Sequence, residues 1–304
     1  MASMALIPRS VRRRPPRSRG FAVLAHKWAP GAATSDAEAQ RVVVMLHGIL
    51  GSKANWNTPA RKLQQRISGW RVLQLDHRGH GQSPVPRESE HTLEACAQDV
   101  VQTLSSLGID TARDELVICG HSFGGKVALS LTEALRDQGT PPRMTWTLDS
   151  VPGTPAKLSA ERQRREQSVS FVLQVLEAVG PAAFPDRAAL TEALQAEGLS
   201  LALAQWAAQS VRTAGDGVRL SFDMEVIREL YDAYASTCKW HVLEQGDVDI
   251  GVVVAGRNKH AWGDENLERL QRAEVTQVTL DAGHNVHVDD LPGLLKALEQ
   301  TFVE

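Results

Sequence analysis

Cysteine is scarce: Cys96, Cys119 and Cys238 are the only three in 304 residues, and they lie far apart. So sparse a set cannot build the disulfide framework of a small secreted domain, and it reads as reduced core thiols in a reducing compartment. No apolar run approaches the roughly 20 residues that a membrane-spanning helix needs. A charge excess is missing as well. The formal net charge of −3 gives no electrostatic reason to expect nucleic acid or an anionic membrane as partner. What remains is 42% hydrophobic and 23% charged residues, an ordinary globular composition. The length suits one large α/β domain or two small ones.

Acid is absent from the start of the chain. The first acidic residue is Asp36, whereas six arginines and one lysine fall within the first 35 residues, alongside Ser3, Ser10 and Ser18. An Arg-rich, acid-free segment of this kind has the profile of an organelle transit peptide. The other reading is a disordered basic tail on a cytosolic protein, since Pro15-Pro16 breaks any amphipathic helix. The expectation is a basic tail or transit peptide over residues 1–20, addressed to a mitochondrion or chloroplast, with the cytoplasm as the alternative.

Beyond it, sheet and helix patterns alternate. Residues 21–28 look like a first strand. Residues 41–47 (R-V-V-V-M-L-H) and 70–76 (W-R-V-L-Q-L-D) are continuous apolar runs, the mark of strands buried on both faces of a parallel sheet. Leu93, Cys96, Ala97, Val100, Val101, Leu104 and Leu107 recur at helical spacing until Gly108. Further strands are expected at 143–148, 250–256 and 275–281, with helices near 267–272 and 294–302. From 154 to 248 the chain is rich in Ala, Leu, Gln, Glu and Arg, broken by Pro181, Pro185 and Gly215-Asp216-Gly217, with no convincing strand. The pattern predicts a doubly wound, mostly parallel α/β sheet built from residues 21–153 and 249–304. Residues 154–248 form a helical cap inserted after the strand that follows the residue-122 turn.

That turn is the centre of the chain. Four apolar residues, Leu116 to Cys119, run into Gly120-His121-Ser122-Phe123-Gly124, and a helical pattern follows through Val127, Leu129, Leu131 and Leu135. Strand, G-x-S-x-G and helix in that order describe a nucleophile elbow, which thrusts the serine Oγ out of the top of the sheet. The same residues carry a decoy: Gly120-x-x-x-x-Gly125-Lys126 fits most of a phosphate-binding P-loop. The next position must then offer a hydroxyl to Mg²⁺, and Val127 cannot.

Acyl transfer needs a serine, a base, an orienting carboxylate and donors for the oxyanion. Ser122 supplies the first. His284, in Gly283-His284-Asn285-Val286-His287 after the last expected strand, is placed to be the base. His287 and His121 read as structural. Asp149, at the end of the strand after the elbow helix, stands where ligands and catalytic groups gather in such sheets. Asp264 and Asp223 remain as other acids, because the strand after the insertion ends Gly256-Arg257-Asn258-Lys259-His260 with no carboxylate before Asp264. The backbone N–H groups of Phe123 and of Ile49, in the loop His47-Gly48-Ile49-Leu50-Gly51-Ser52, are the candidate oxyanion donors. His77-x-x-His80 and His284-x-x-His287 lack the helical H-E-x-x-H spacing of a metallohydrolase and read as solvated loop histidines, so no metal is expected.

With these residues in view the chain resembles the α/β-hydrolases, and within them the subgroup typified by α/β-hydrolase domain-containing protein 11 and the esterase YbfF. The stretches that carry the likeness are residues 47–56 (H-G-I-L-G-S-K-A-N-W), 76–83 (D-H-R-G-H-G-Q-S), 120–126 (G-H-S-F-G-G-K) and 283–287 (G-H-N-V-H). The subgroup shares Lys126 after the double glycine. Its usual Arg-Asn-His-Gly is replaced here by Arg78-Gly79-His80-Gly81. The resemblance runs from about Phe21 to the C-terminus and is weak in the insertion. It implies esterase or thioesterase activity on a small-molecule acyl ester or thioester, no cofactor, and a triad acid that carries over onto Asp149. Two rivals stand beside it: a nucleotide-binding protein using residues 120–126, and a catalytically slow ligand receptor on the same fold.

Overall fold

The computed structural model describes residues 20–31, 39–86, 89–156, 159–165 and 168–302. The basic segment up to residue 19 and Asp36 fall outside them. The described residues form strands β1 (His26–Trp28), β2 (Arg41–Leu46), β3 (Arg71–Leu75), β4 (Glu115–His121), β5 (Met144–Leu148), β6 (Val211–Ala214), β7 (Gly217–Leu220), β8 (Ile250–Ala255) and β9 (Thr276–Leu280). The helices α1 (Asn57–Gln64), α2 (Leu93–Ser106) and α3 (Phe123–Asp137) precede β5. Between β5 and β8 come α4 (Ala160–Arg165), α5 (Val169–Val179), α6 (Arg187–Ala196), α7 (Leu201–Ala207), α8 (Met224–Ser236) and α9 (Trp240–Glu244). The chain closes through α10 (Asp264–Arg272), α11 (Val286–Asp289) and α12 (Leu291–Glu299).

Seven strands make one sheet in the order β1-β3-β2-β4-β5-β8-β9. Only β1 runs antiparallel, at an edge, and it is shorter than the strand expected over 21–28. The central strands are buried on both sides because helices cover both: α2 and α3 pack on Val42, Val44, Leu46 and Ile118, while α1 and α12 pack on Val43, Met45, Val117 and Trp146. From β2 the chain steps outward to β3, then returns to lay β4 on the other side of β2. The order therefore reverses between β2 and β4, and the crevice beyond their carboxyl ends is where such sheets bind ligands. Register aligns those ends, with Leu46 opposite Gly120.

The turn from β4 into α3 is tight enough to need its glycines. A Cβ on Gly120 would lie 2.1 Å from the Gly124 carbonyl oxygen, and one on Gly124 would lie 2.5 Å from the carbonyl oxygens of Leu46 and His47. Ser122 itself sits at φ 53°, ψ −118°, a region that side chains other than glycine rarely adopt.

The segment between β5 and β8 corrects the sequence reading in one respect. Alongside its helices it contains a hairpin, β6 paired antiparallel with β7 and extended by a bridge from Phe184 to Val218. Gly215-Asp216 forms the two-residue hairpin turn, with Gly215 at φ 60°, and Gly217 opens β7 opposite Ala214, so these residues join two strands and do not break a helix. Only Leu220 of the two strands is fully buried, so the hairpin shows little alternation to read. One thiol also differs from expectation: Cys96 and Cys119 are in the core, but Cys238 is exposed.

Candidate active site

Three loops at the carboxyl ends of β4, β5 and β9 bring Ser122, Asp149 and His284 together. Ser122 Oγ lies 3.0 Å from His284 Nε2, and His284 Nδ1 lies 2.7 Å from Asp149 Oδ2. Asp149 is almost entirely buried and accepts an N–H from the ring, so the neutral imidazole carries its proton on Nδ1. Nε2 is then free to accept from the serine hydroxyl. Asp149 sits at φ 43°, a second strained position, and its N–H donates to Val253 O at 2.7 Å. Asp264 and Asp223 are elsewhere, in the first turn of α10 and at the N-cap of α8, where Asp223 accepts from the Val226 N–H.

The surroundings of Asp149 were not visible in the sequence. Trp262 Nε1 (2.9 Å) and the Ala255 N–H (3.2 Å) donate to Oδ1, and Asn258 Nδ2 (2.7 Å) donates to Oδ2. The stretch after β8 that offers no carboxylate thus supplies the donors that orient one.

The second loop of the site, residues 47–52, is fixed from beneath. Ile49 precedes Leu50, which stands at φ 62°, and the Gly51 N–H closes the turn on Gly48 O at 3.0 Å. His80 Nδ1 lies 3.0 Å from Arg78 O and so carries the proton, which leaves Nε2 to accept the Leu50 N–H at 3.0 Å. His47 and His77 interlock below: the His77 N–H donates to His47 Nε2, and His77 Nε2–H donates to His47 O. Asp76 ties the two loops together by accepting from the Lys53 N–H (2.6 Å), Lys53 Nζ (2.5 Å) and the Gln82 N–H (2.9 Å). Arg78 is buried with all five donors placed, two on Asp99 and the rest on Ser89 Oγ, Glu90 O and Ala95 O.

His77, His80 and His287 are therefore buried, not the solvated residues their loop positions suggested. Burial holds His77 at about 3 and His80 and His287 at about 4, and it drives His47 and His121 well below the ordinary imidazole value. His121 donates from Nε2 to the His284 carbonyl at 2.8 Å, anchoring the loop that bears His284. Phe123 opens α3 at its first position, where the N–H has no intrahelical acceptor.

Ser122, Asp149 and His284 border a cavity of about 960 Å³ together with Ile49, Phe123 and Trp262. The segment between β5 and β8 lines it as well, including Tyr231 and Tyr234 of α8. Lys126, by contrast, is turned away from the 120–125 turn, toward carbonyl oxygens near the end of α8. The P-loop reading is left without its phosphate-facing lysine. Among the described residues no helix is long and apolar enough to cross a membrane.

A parallel sheet with a serine on a strained strand-to-helix turn at its switch point defines an α/β hydrolase. A model of the alpha/beta hydrolase family matches residues 43–295, and the chain belongs to that family. It is 43% identical over 89 residues to the sn-1-specific diacylglycerol lipase ABHD11 of Mus musculus, a match covering 29% of this chain and 27% of that one. The counterpart from Xenopus laevis is 41% identical over 114 residues, 38% of this chain and 32% of the relative. These matches span under a third of either lipase's length. Esterase YbfF of Escherichia coli aligns more widely, at 26% identity over 85% of this chain and 91% of the relative. Among solved structures, a marine microorganism esterase superposes with a TM-score of 0.71 at 19% identity, covering 93% of this chain and all of the other.

Proposed function

We propose that the protein is a serine hydrolase that cleaves a carboxylic ester or thioester through an acyl-enzyme on Ser122. The reading rests above all on the unbroken hydrogen-bond chain from Ser122 Oγ through His284 to Asp149. Ser122 Oγ attacks the acyl carbon while His284 Nε2 takes its proton, and Asp149 stabilises the imidazolium that forms. The negative charge that develops on the carbonyl oxygen is met by the Ile49 and Phe123 N–H groups. The imidazolium then protonates the departing alkoxide or thiolate, which leaves the acyl group on Ser122. Water, deprotonated by the same His284 nitrogen, attacks the acyl carbon and releases the acid. Relatives described as esterases and diacylglycerol lipases support an ester. A thioesterase domain from a curacin biosynthetic pathway shares the fold at a TM-score of 0.62 and 21% identity.

A fluorophosphonate probe should label the wild type on Ser122, and Ser122→Ala should lose both labelling and hydrolysis of acyl esters and acyl-CoAs. Undiminished labelling of the variant would place the nucleophile elsewhere. The Arg-rich, acid-free first residues support an address in a mitochondrion or chloroplast, and a fluorescent fusion that stays cytosolic with residues 1–20 intact would refute it.

A further inference from the structure

One turn into α3, Lys126 is completely buried yet takes no part in the acyl-transfer steps. No carboxylate contacts it among the described residues. Its ammonium donates to Tyr234 O at 2.6 Å and Thr237 O at 2.7 Å, and stands 4.5 Å from the centre of the Tyr234 ring. Three donors thus meet two carbonyls and an aromatic face. The neighbouring cation on the α8–α9 connection is Lys239, itself paired with Glu94 (2.9 Å) and Glu133 (2.8 Å). Burial without a counter-charge is unfavourable and lowers the lysine to about 7. A methionine would fill the same space without that penalty, so the amine has to be explained by what it holds.

It holds the end of α8. The carbonyls at a helix C-terminus lack intrahelical donors and carry the negative end of the helix dipole, so a cation is favourable there. Tyr234 is gripped twice, by its carbonyl and by its ring. Tyr234 and Tyr231 stack with ring centres 6.1 Å apart, and both line the cavity that contains Ser122 and His284. Tyr234 also packs beside Phe123, with ring centres 6.4 Å apart.

We propose that Lys126 is a specificity-determining positioning residue: by clamping the C-terminal end of α8 to the elbow helix, it fixes Tyr231 and Tyr234 as a wall of the substrate cavity and so sets which acyl groups fit over Ser122. What the cavity holds rests on the acyl-enzyme reading above; the clamp itself does not.

The test uses the full chain with Lys126→Met, which keeps the length and removes the donors, and Lys126→Gln, which restores an uncharged donor. In Lys126→Met, amide hydrogen exchange over residues 231–238 should quicken by about tenfold or more while β4 is unchanged. Across p-nitrophenyl esters from acetyl to octanoyl, the ratio of kcat/KM values should shift about tenfold, through KM, with fluorophosphonate labelling of Ser122 and acetyl-ester kcat retained. Lys126→Gln should fall between the two proteins. An unchanged acyl-chain ratio in a folded variant overturns the proposal, as does unchanged exchange. So does an equal loss of kcat on every ester together with labelling. If Lys126→Met does not fold, Lys126→Gln decides alone, and failure of both to fold assigns Lys126 to stability and ends the specificity claim. Failure of the acyl-enzyme reading would show separately, as hydrolysis surviving in Ser122→Ala, and would leave the exchange result standing.

Discussion

Asp149 receives four hydrogen bonds on two oxygens, from Trp262, Ala255, Asn258 and His284. An asparagine there offers one acceptor and turns an amide toward donors. Asp149→Asn is expected to lower kcat by about 10³- to 10⁴-fold, because the wrong imidazole tautomer is then favoured. It should also lower stability by ~1–3 kcal/mol, because buried donors lose their partner. Steady-state kinetics and urea unfolding read the two effects apart, and Asp264→Asn and Asp223→Asn should leave kcat intact. A damaging Asp264→Asn would move the acid to the segment after β8. The positions of Ser122 and His284 were legible because their signals are local: a strand, three spaced small residues and a helix for one, a glycine-led loop after the last strand for the other. Asn258 and Trp262 were not, since nothing in a loop sequence says which distant carboxylate its side chains will meet. Histidine misled for a similar reason. The letter H gives no sign of burial, and His77, His80 and His287 are buried by what packs over them.

At the scale of the element, the 47–52 loop closes on itself through Gly51 and Gly48 and is held in place by the loop after β3. His80 reaches up to the Leu50 N–H, its ring stacks near Phe123 with centres 6.5 Å apart, and both candidate oxyanion donors are neighbours of those contacts. His80→Leu removes the acceptor. It is expected to reduce kcat by about ten- to a hundredfold with little change in KM, less than the loss of an oxyanion donor outright. His80→Gln, whose side-chain oxygen can still accept, should recover most of the rate. Equal damage by both variants would mean that the ring's packing matters and the hydrogen bond does not. The Asp-x-Arg-Gly-His-Gly-x-Ser stretch thus gains a physical meaning: Asp76 ties the loops after β2 and β3 together, Arg78 anchors them to α2 through Asp99, and His80 props up the first of them at Leu50. The sheet and its flanking helices were legible from apolar runs and helical spacing. The β6–β7 hairpin was not, because a short pair of strands with one buried residue leaves no periodicity to find.

For the whole molecule, the buried histidines make stability depend on acidity. His77, His80 and His287 titrate at about 3, 4 and 4 in the folded protein, against ~6.5 when unfolded. Between those values the unfolded chain binds more protons, so stability is fully present above pH ~6.5 and is lost as pH falls toward 4. One unit of separation is worth about 1.36 kcal/mol, so even one unit from each of the three amounts to ~4 kcal/mol. Urea midpoints should fall steeply from pH 7 to pH 5, and a flat profile would contradict a neutral, interlocked set of buried histidines. The topology has a consequence of a different kind. Strands β5 and β8 lie side by side, joined by the Asp149 N–H on Val253 O, yet the chain travels through six helices and a hairpin between them. Departure and return are neighbours, and the two ends of the segment are not alike: α8 and α9 bury Val226, Leu230, Tyr234, Trp240 and Leu243 in the core, whereas the buried residues of α5, α6 and α7 pack mainly on one another. The self-packed part from α5 to β7 is therefore a module that an engineer can exchange, while Ser122, Asp149 and His284 keep their places on the sheet.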